Sequence, residues 1–283
     1  MVLSLDGPRD LHDANRVDAS DHGTFDVVLA AARLLKRRDV PCNILTVVTE
    51  ATASRAKELF SFFMAQGFLY QQYIPCLNPL GAPRGGCPGS LTPASYRRFL
   101  TDLFDAWYEA RLLGRFVYIR YFENLAARLL GQPVECCGMG GCAPQLVVEA
   151  DGSVYPCDFY MLDDYCMGNF HRDTVTDMAR RWEASSFVRE TGRGLERCAA
   201  CQWHPLCRGG CRRGRQGLPL HQVGENYFCS AYRSFFPHAV PKLAVSCGET
   251  ATTSRNNAVP LTKHTVRPRL FKLLLTLFEK PYI

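Results

Sequence analysis

The sequence predicts an α/β protein: a partial (βα) barrel followed by a cysteine-rich domain whose thiols point to bound metal. Three observations carry this. Short β-branched runs alternate with amphipathic helices over the first 125 residues or so. The pattern changes after Cys136, where glycine, arginine and cysteine displace apolar residues. Within that second part Cys198, Cys201, Cys207 and Cys211 read C-x2-C-x5-C-x3-C, and Cys229 follows.

The elements follow in order. Val2–Leu5 is a short apolar strand stopped by Asp6-Gly7-Pro8. Phe25, Val28, Leu29, Ala32 and Leu35 recur at helical spacing, with Thr24 placed to cap. Asn43–Val48 is β-branched and short, a buried strand. Ala56, Leu59, Phe60, Phe63 and Met64 mark a helix that Gly67 closes. Phe68–Ile74 is a third strand. Thr92-Pro93 opens a long helix whose Tyr96, Phe99, Leu100, Leu103, Phe104, Trp107 and Tyr108 stripe reads as core. Val117–Tyr121 is a further strand. Parallel strands need cover on both faces. With the first strand at residue 2, the barrel reads as cut open; the competing arrangement is a complete small sheet with Val2–Leu5 inside.

In the second part, Gln145–Glu149 and Ser153–Tyr155 flank Ala150-Asp151-Gly152, a hairpin turn. A helix around Val175–Phe187 precedes the cysteine run. That run holds too little core to fold alone and is expected to take its order from bound metal. The expected domains are 1–125, 126–240 and a tail, 241–283. In the tail, Gly248 to about Val266 reads as disordered and Leu270–Phe278 as a short amphipathic helix.

Composition narrows the class. The hydrophobic content of 47% and charged content of 21% are ordinary for a globular protein. The net charge is +6, but six Lys/Arg and one acid after Thr250 supply +5 of it. The body therefore has no nucleic-acid footprint. No secretion signal and no transmembrane segment are expected, which places the chain in the cytoplasm. Fourteen cysteines there point to metal rather than disulfides. Cys42, Cys76, Cys87, Cys166 and Cys247 stand alone and read as packing or surface thiols. Soft thiolates suit iron–sulfur clusters or zinc.

The spacing Cys142-x9-Gly152-x4-Cys157, followed by C-x2-C-x5-C-x3-C and Cys229, resembles the SPASM domain of radical S-adenosylmethionine enzymes. Within them the chain resembles the anaerobic sulfatase-maturating enzymes. The segments that carry this are Ser4–Pro8, His12-Asp13 with Arg16, Tyr73–Leu77, Ile119–Phe122, Val147–Tyr160 and Arg208–Arg213. The resemblance implies one auxiliary [4Fe–4S] cluster on Cys142, Cys157, Cys211 and either Cys136 or Cys137. It implies a second on Cys198, Cys201, Cys207 and Cys229. Asp158 is implied as the general base. A radical derived from S-adenosylmethionine removes a Cβ hydrogen from a Cys or Ser of a sulfatase polypeptide, a carboxylate takes the thiol or hydroxyl proton, and formylglycine results. Ser4, Arg16 and Leu77 are implied to contact S-adenosylmethionine. A reducing partner such as flavodoxin or ferredoxin is implied too. The chain lacks the C-x3-C-x2-C triplet for the third, radical cluster. It begins at what resembles the fourth barrel strand, so a truncated enzyme, inactive alone, is expected. The alternatives are a non-catalytic iron–sulfur module and a zinc-binding peptide-interaction module.

Overall fold

A parallel sheet with β1 at its edge organises the first half. The computed structural model describes residues 1–85, 89–134, 142, 145–185, 187, 196–215 and 224–256, with side chains to residue 244. Strands β1 (Val2–Ser4), β2 (Asn43–Val48), β3 (Tyr70–Pro75) and β4 (Tyr118–Ile119) lie in the order β1-β2-β3-β4. All three pairings are parallel. The arrangement with Val2–Leu5 inside a complete sheet is therefore excluded: among the described residues β1 pairs with β2 alone.

The connections are helical, as parallel strands require. Helix α1 (Arg9–Asp13) and α2 (Phe25–Arg37) join β1 to β2, and α3 (Glu50–Ala53) and α4 (Ala56–Gln66) join β2 to β3. Gly67 ends α4 in the left-handed region at φ 69°, where a Cβ is disfavoured. Thr92 caps α5 (Pro93–Leu112), accepting from the Ser95 N–H at 3.1 Å. The aromatic stripe of α5 is core: Tyr96, Phe99, Phe104 and Trp107 are all buried. Thr24 does not cap α2 with its side chain. Its hydroxyl donates to the Arg16 carbonyl at 3.0 Å, and Asp13 instead accepts from the Phe25 N–H at 2.9 Å.

Two elements depart from expectation. The strand read over Val117–Tyr121 shortens to Tyr118–Ile119, because α6 (Arg120–Leu129) starts immediately and buries Phe122 and Leu125. The hairpin of β5 (Val147–Val148) and β6 (Ser153–Tyr155) gains a third antiparallel strand, β7 (Gly168–Asn169). Gly152 turns the hairpin at φ 82°. Helix α7 (Val175–Ala184) packs Met178 and Trp182 on Val154 and Met167 beneath it.

The cysteine run forms helical turns at Glu196–Ala199, His204–Cys207 and Arg212–Arg215, and α8 (Cys229–Asn256) follows. Phe228, Tyr232, Phe235, Phe236, Ala239 and Leu243 join one core with Leu5, Phe63, Phe99 and Phe104 of the first half. The cysteine run itself reaches this core through Trp203, Leu206 and Cys207, so packing on the first half adds to the order expected from metal. The tail boundary at 241 falls inside α8, which continues through Pro237 and Pro241 to Asn256. Gly248–Asn256 is helical rather than disordered; the segment Leu270–Phe278 lies outside the described residues. Met1–Ala244 forms one compact unit, from which the described residues after Ala244 separate. Among the described residues no helix is long and apolar enough to cross a membrane.

Candidate iron–sulfur centres and base

Two sets of cysteines stand out, and each is positioned by backbone turns. In the second set, Cys201 N–H donates to the Cys198 carbonyl at 3.1 Å, and Cys207 N–H to Trp203 at 2.9 Å. Arg208 and Gly209 then adopt φ 47° and φ 84°, reversing the chain toward Cys211. Cys229 starts α8, its N–H donating to the Asn226 carbonyl at 2.9 Å. Cys198, Cys201, Cys207 and Cys229 line one cavity of about 370 Å³, with Trp203, Tyr232 and Phe236. The Arg197–Glu225 ion pair flanks it. Burial raises the Cys207 and Cys229 thiols, and the neighbouring cysteines raise them further.

The cavity and its donors fit a polynuclear thiolate-held group. Zinc draws four sulfurs to about 2.3 Å from one ion. Four thiols lining one cavity are a donor set of the kind an iron–sulfur cluster takes.

The first set is partly described. Cys136 and Cys137 lie outside the described residues. Cys142 and Cys157 both pack against the buried rings of Tyr160, Tyr165 and Phe187. Cys157 lies two residues past β6, after Pro156, and Tyr160 N–H donates back to its carbonyl at 2.9 Å, closing a tight turn. That turn leaves Asp158 exposed. The Cys157 thiol donates to Asp158 Oδ1 at 3.3 Å. Burial is the main cause that pushes the Cys157 thiol up to about 12; the Phe159 N–H opposes it, and the charges of Asp158 and Cys211 add to it. Cys211 is therefore an electrostatic neighbour of Cys157, although 54 residues separate them in sequence.

The three residues expected at S-adenosylmethionine share one end of the sheet. Ser4 ends β1, Leu77 lies two residues past β3, and Arg16 lies between α1 and α2. This is the carboxyl end of parallel strands, where α/β folds bind ligands. Arg16 is already engaged: Nε donates to Asp6 Oδ2 at 2.5 Å and Nη2 to Asp6 Oδ1 at 3.4 Å. Two of its five N–H groups are spent on Asp6, leaving those of Nη1 and the second of Nη2 for a second carboxylate. Asp6 is buried, and its Oδ1 also accepts from the Val47 N–H at 2.8 Å. Leu77 packs against the main core with one side. The fit to this cofactor is thus partial, since Arg16 keeps some N–H groups but is already paired with Asp6.

The sequence reading missed several residues that shape these sites. Asp6 was visible only as a turn residue. Arg212 and Arg213, directly after Cys211, are buried. Arg213 donates to the Asn78 carbonyl, and Arg84 Nη2 donates to the Arg213 carbonyl at 2.7 Å. These bonds tie the cysteine run to the loop after β3. Arginine beside a ligand cysteine was the available signal, but its burial depends on tertiary packing.

Comparison with known proteins agrees with this geometry. Residues 137–202 match the SPASM family model, described as an iron–sulfur cluster-binding domain. The cysteine-type anaerobic sulfatase-maturating enzyme of Clostridium novyi (strain NT) is 41% identical over 242 residues, 85% of this chain and 65% of that protein. The chain thus spans slightly less than two thirds of that relative. The serine-type anaerobic sulfatase-maturating enzyme of Bacteroides thetaiotaomicron is 27% identical over 256 residues, covering 84% of this chain and 61% of that protein. A solved structure of native anSMEcpe with bound AdoMet and Cp18Cys peptide superposes with a TM-score of 0.83 at 41% identity. It covers 88% of this chain and 69% of that one.

Proposed function

From the premise that this chain belongs to the anaerobic sulfatase-maturating enzymes of the radical S-adenosylmethionine class, we propose that it supplies their substrate-oxidising half: the auxiliary iron–sulfur centres and the base. The substrate is a sulfatase polypeptide, and the product is Cα-formylglycine. Cysteine is favoured over serine as the residue oxidised, since the cysteine-type relative is 41% identical and the serine-type one 27%. A segment carrying C-x3-C-x2-C completes the activity, and a flavodoxin- or ferredoxin-like protein supplies reducing electrons.

Cys198, Cys201, Cys207 and Cys229 would hold one [4Fe–4S] cluster. Cys142, Cys157, Cys211 and Cys136 or Cys137 would hold the other. With four protein thiolates each, both sets are closed to substrate and suit electron relay. When bound, the cofactors supply hydrogen-atom removal at the substrate Cβ and an acceptor for the electron released.

The chain's own residues do the rest. Asp158 is exposed and reachable by an external polypeptide. Cys157 has a proton to donate to Asp158 only as a thiol. Ligation makes it a thiolate, which frees Oδ1 to accept the proton of the substrate thiol. The turn closed by Tyr160 N–H holds the carboxylate rigidly beside the electron acceptor. The N–H groups of Arg16 not spent on Asp6 would bind the carboxylate of S-adenosylmethionine, while Asp6 fixes the guanidinium plane. Ser4 and Leu77 sit at the same sheet end, for the ribose and adenine.

The observation that carries this reading is the 3.3 Å contact of Asp158 with Cys157, on a turn beside Cys211. The test is Asp158→Asn in the enzyme completed with its triplet-bearing segment. S-adenosylmethionine cleavage should persist, while formylglycine in a cysteine-containing sulfatase peptide, read by mass spectrometry, falls about 10²–10⁴-fold. Wild-type formylglycine levels in that variant would remove Asp158 as base.

A further inference from the structure

Arg212 is an unusual neighbour for a cluster ligand. It follows Cys211 directly and is 1% exposed. Its guanidinium carbon lies 4.7 Å from the Phe187 ring centre, 5.4 Å from Tyr160 and 5.6 Å from Tyr165. The three rings pack edge-to-face on one another, with centroids 5.0–5.6 Å apart. Nη1 donates to the Phe187 carbonyl at 2.9 Å, and Nη2 to the Tyr165 hydroxyl at 3.0 Å. The faces of the rings attract the cation while the two bonds fix its plane. Cys142 and Cys157 pack on the same rings.

Three consequences follow from chemistry. A guanidinium stays charged even when buried. Its field acts over a few ångströms with little screening from water. A one-electron reduction adds a negative charge to a cluster and makes or breaks no bond, so a nearby fixed cation favours the reduced form. The cage has a second output, since Tyr160 closes the turn that carries Asp158.

We propose that Arg212 is a positioning residue: it sets a fixed positive charge beside the cluster of Cys142, Cys157 and Cys211, raising that cluster's potential, and through Tyr160 it holds the Asp158 turn. The inference rests on the cluster reading above.

The test uses the full chain, wild type and the variants Arg212→Lys and Arg212→Gln, reconstituted anaerobically with iron and sulfide. Iron and sulfide are counted, and both cluster midpoint potentials are read by EPR on samples poised with dithionite and mediators. Each variant should hold as much iron as the wild type. In Arg212→Gln one couple should show an about tenfold smaller reduced-to-oxidised ratio at fixed potential, about 59 mV for one electron. The other couple stays in place. Arg212→Lys keeps the charge and should stay near the wild-type value. Unchanged potentials in Arg212→Gln would overturn the proposal, as would an equal fall in Arg212→Lys. Iron loss from either variant would make Arg212 a structural residue only and overturn it too. A wild-type chain that takes up no iron and sulfide would instead overturn the cluster reading, and this inference with it.

Discussion

Removing the Phe228 ring tests whether the cysteine-rich part and the barrel-like half share one core. Phe228 is 1% exposed and precedes Cys229. Its ring centre lies 4.6 Å from Tyr96 on α5 and 4.9 Å from Tyr227. Truncating a buried Phe to Ala costs about 3–5 kcal/mol, and the cost rises with the cavity left behind. Each aromatic pair lost is worth about 0.5–1.5 kcal/mol beyond area, so the upper part of that range applies. Phe228→Leu keeps most of the volume and should cost no more than about 1.5 kcal/mol. The assay is urea unfolding of the anaerobically reconstituted chain, followed by tryptophan fluorescence. With a slope of about 2–3 kcal/mol per molar urea, a loss of about 4 kcal/mol moves the midpoint down by about 1.5 M. Iron per chain should fall in parallel, since Cys229 is displaced with the start of α8. An Ala variant within about 1 kcal/mol of wild type, with full iron, would refute the shared core.

Three further predictions follow from particular contacts. Gly152→Ala places a Cβ 2.8 Å from His171 and 2.9 Å from Asn169 at φ 82°, so it should destabilise by about 1–3 kcal/mol, measured by the same urea midpoint. Cluster uptake needs the Cys157 proton to leave, and burial pushes that thiol up to about 12. Iron loading at limiting iron should therefore rise from about pH 6.5 to about 8.5, the direction set by proton release; loading that rises toward acid would contradict it. Asp105 ties α5 to α8 by bonds from His238 and Lys242, both 2.7 Å. Burial alone would raise its carboxyl, but those two bonds outweigh it and hold it below the usual value. A depressed carboxyl stabilises above its unfolded pKa of about 4 and loses that contribution as pH falls through its folded value. Wild type should thus exceed Asp105→Asn by less than about 1 kcal/mol near neutrality, with the gap closing below about pH 4.

The sequence displayed its chemistry more clearly than its packing. Thiolate ligands must recur at short intervals, so the run from Cys198 to Cys211 is legible without coordinates. A short β-branched run likewise revealed β2, and period-3.6 patterning revealed α4 and the α5 stripe, because each helix buries one face. Other features depend on partners distant in sequence. The two residues of β7 carry no pattern, and only pairing with β6 makes them a strand. Helix α6 was absorbed into a strand because Tyr118–Phe122 is aromatic and β-branched enough to suit either state. Thr24 has the side chain of a cap, but Asp13 reaches the helix first. The aromatic cage around Arg212 joins residues 160, 165, 187 and 212, which no local window contains.

The proposed ligand sets are interleaved along the chain, and this bears on biogenesis. In that proposal Cys211 joins Cys142 and Cys157 but is translated after Cys198, Cys201 and Cys207. Neither set is complete when the ribosome reaches residue 210. The first closes with Cys211 and the second waits for Cys229, at the head of the helix that packs into the common core. On the proposed assignment each set is completed only late in the cysteine-rich part, so metallation follows synthesis of most of the chain. Before Cys211 is made, six thiols of the two proposed sets stand open to oxygen, so aerobic synthesis should yield oxidised, iron-poor protein.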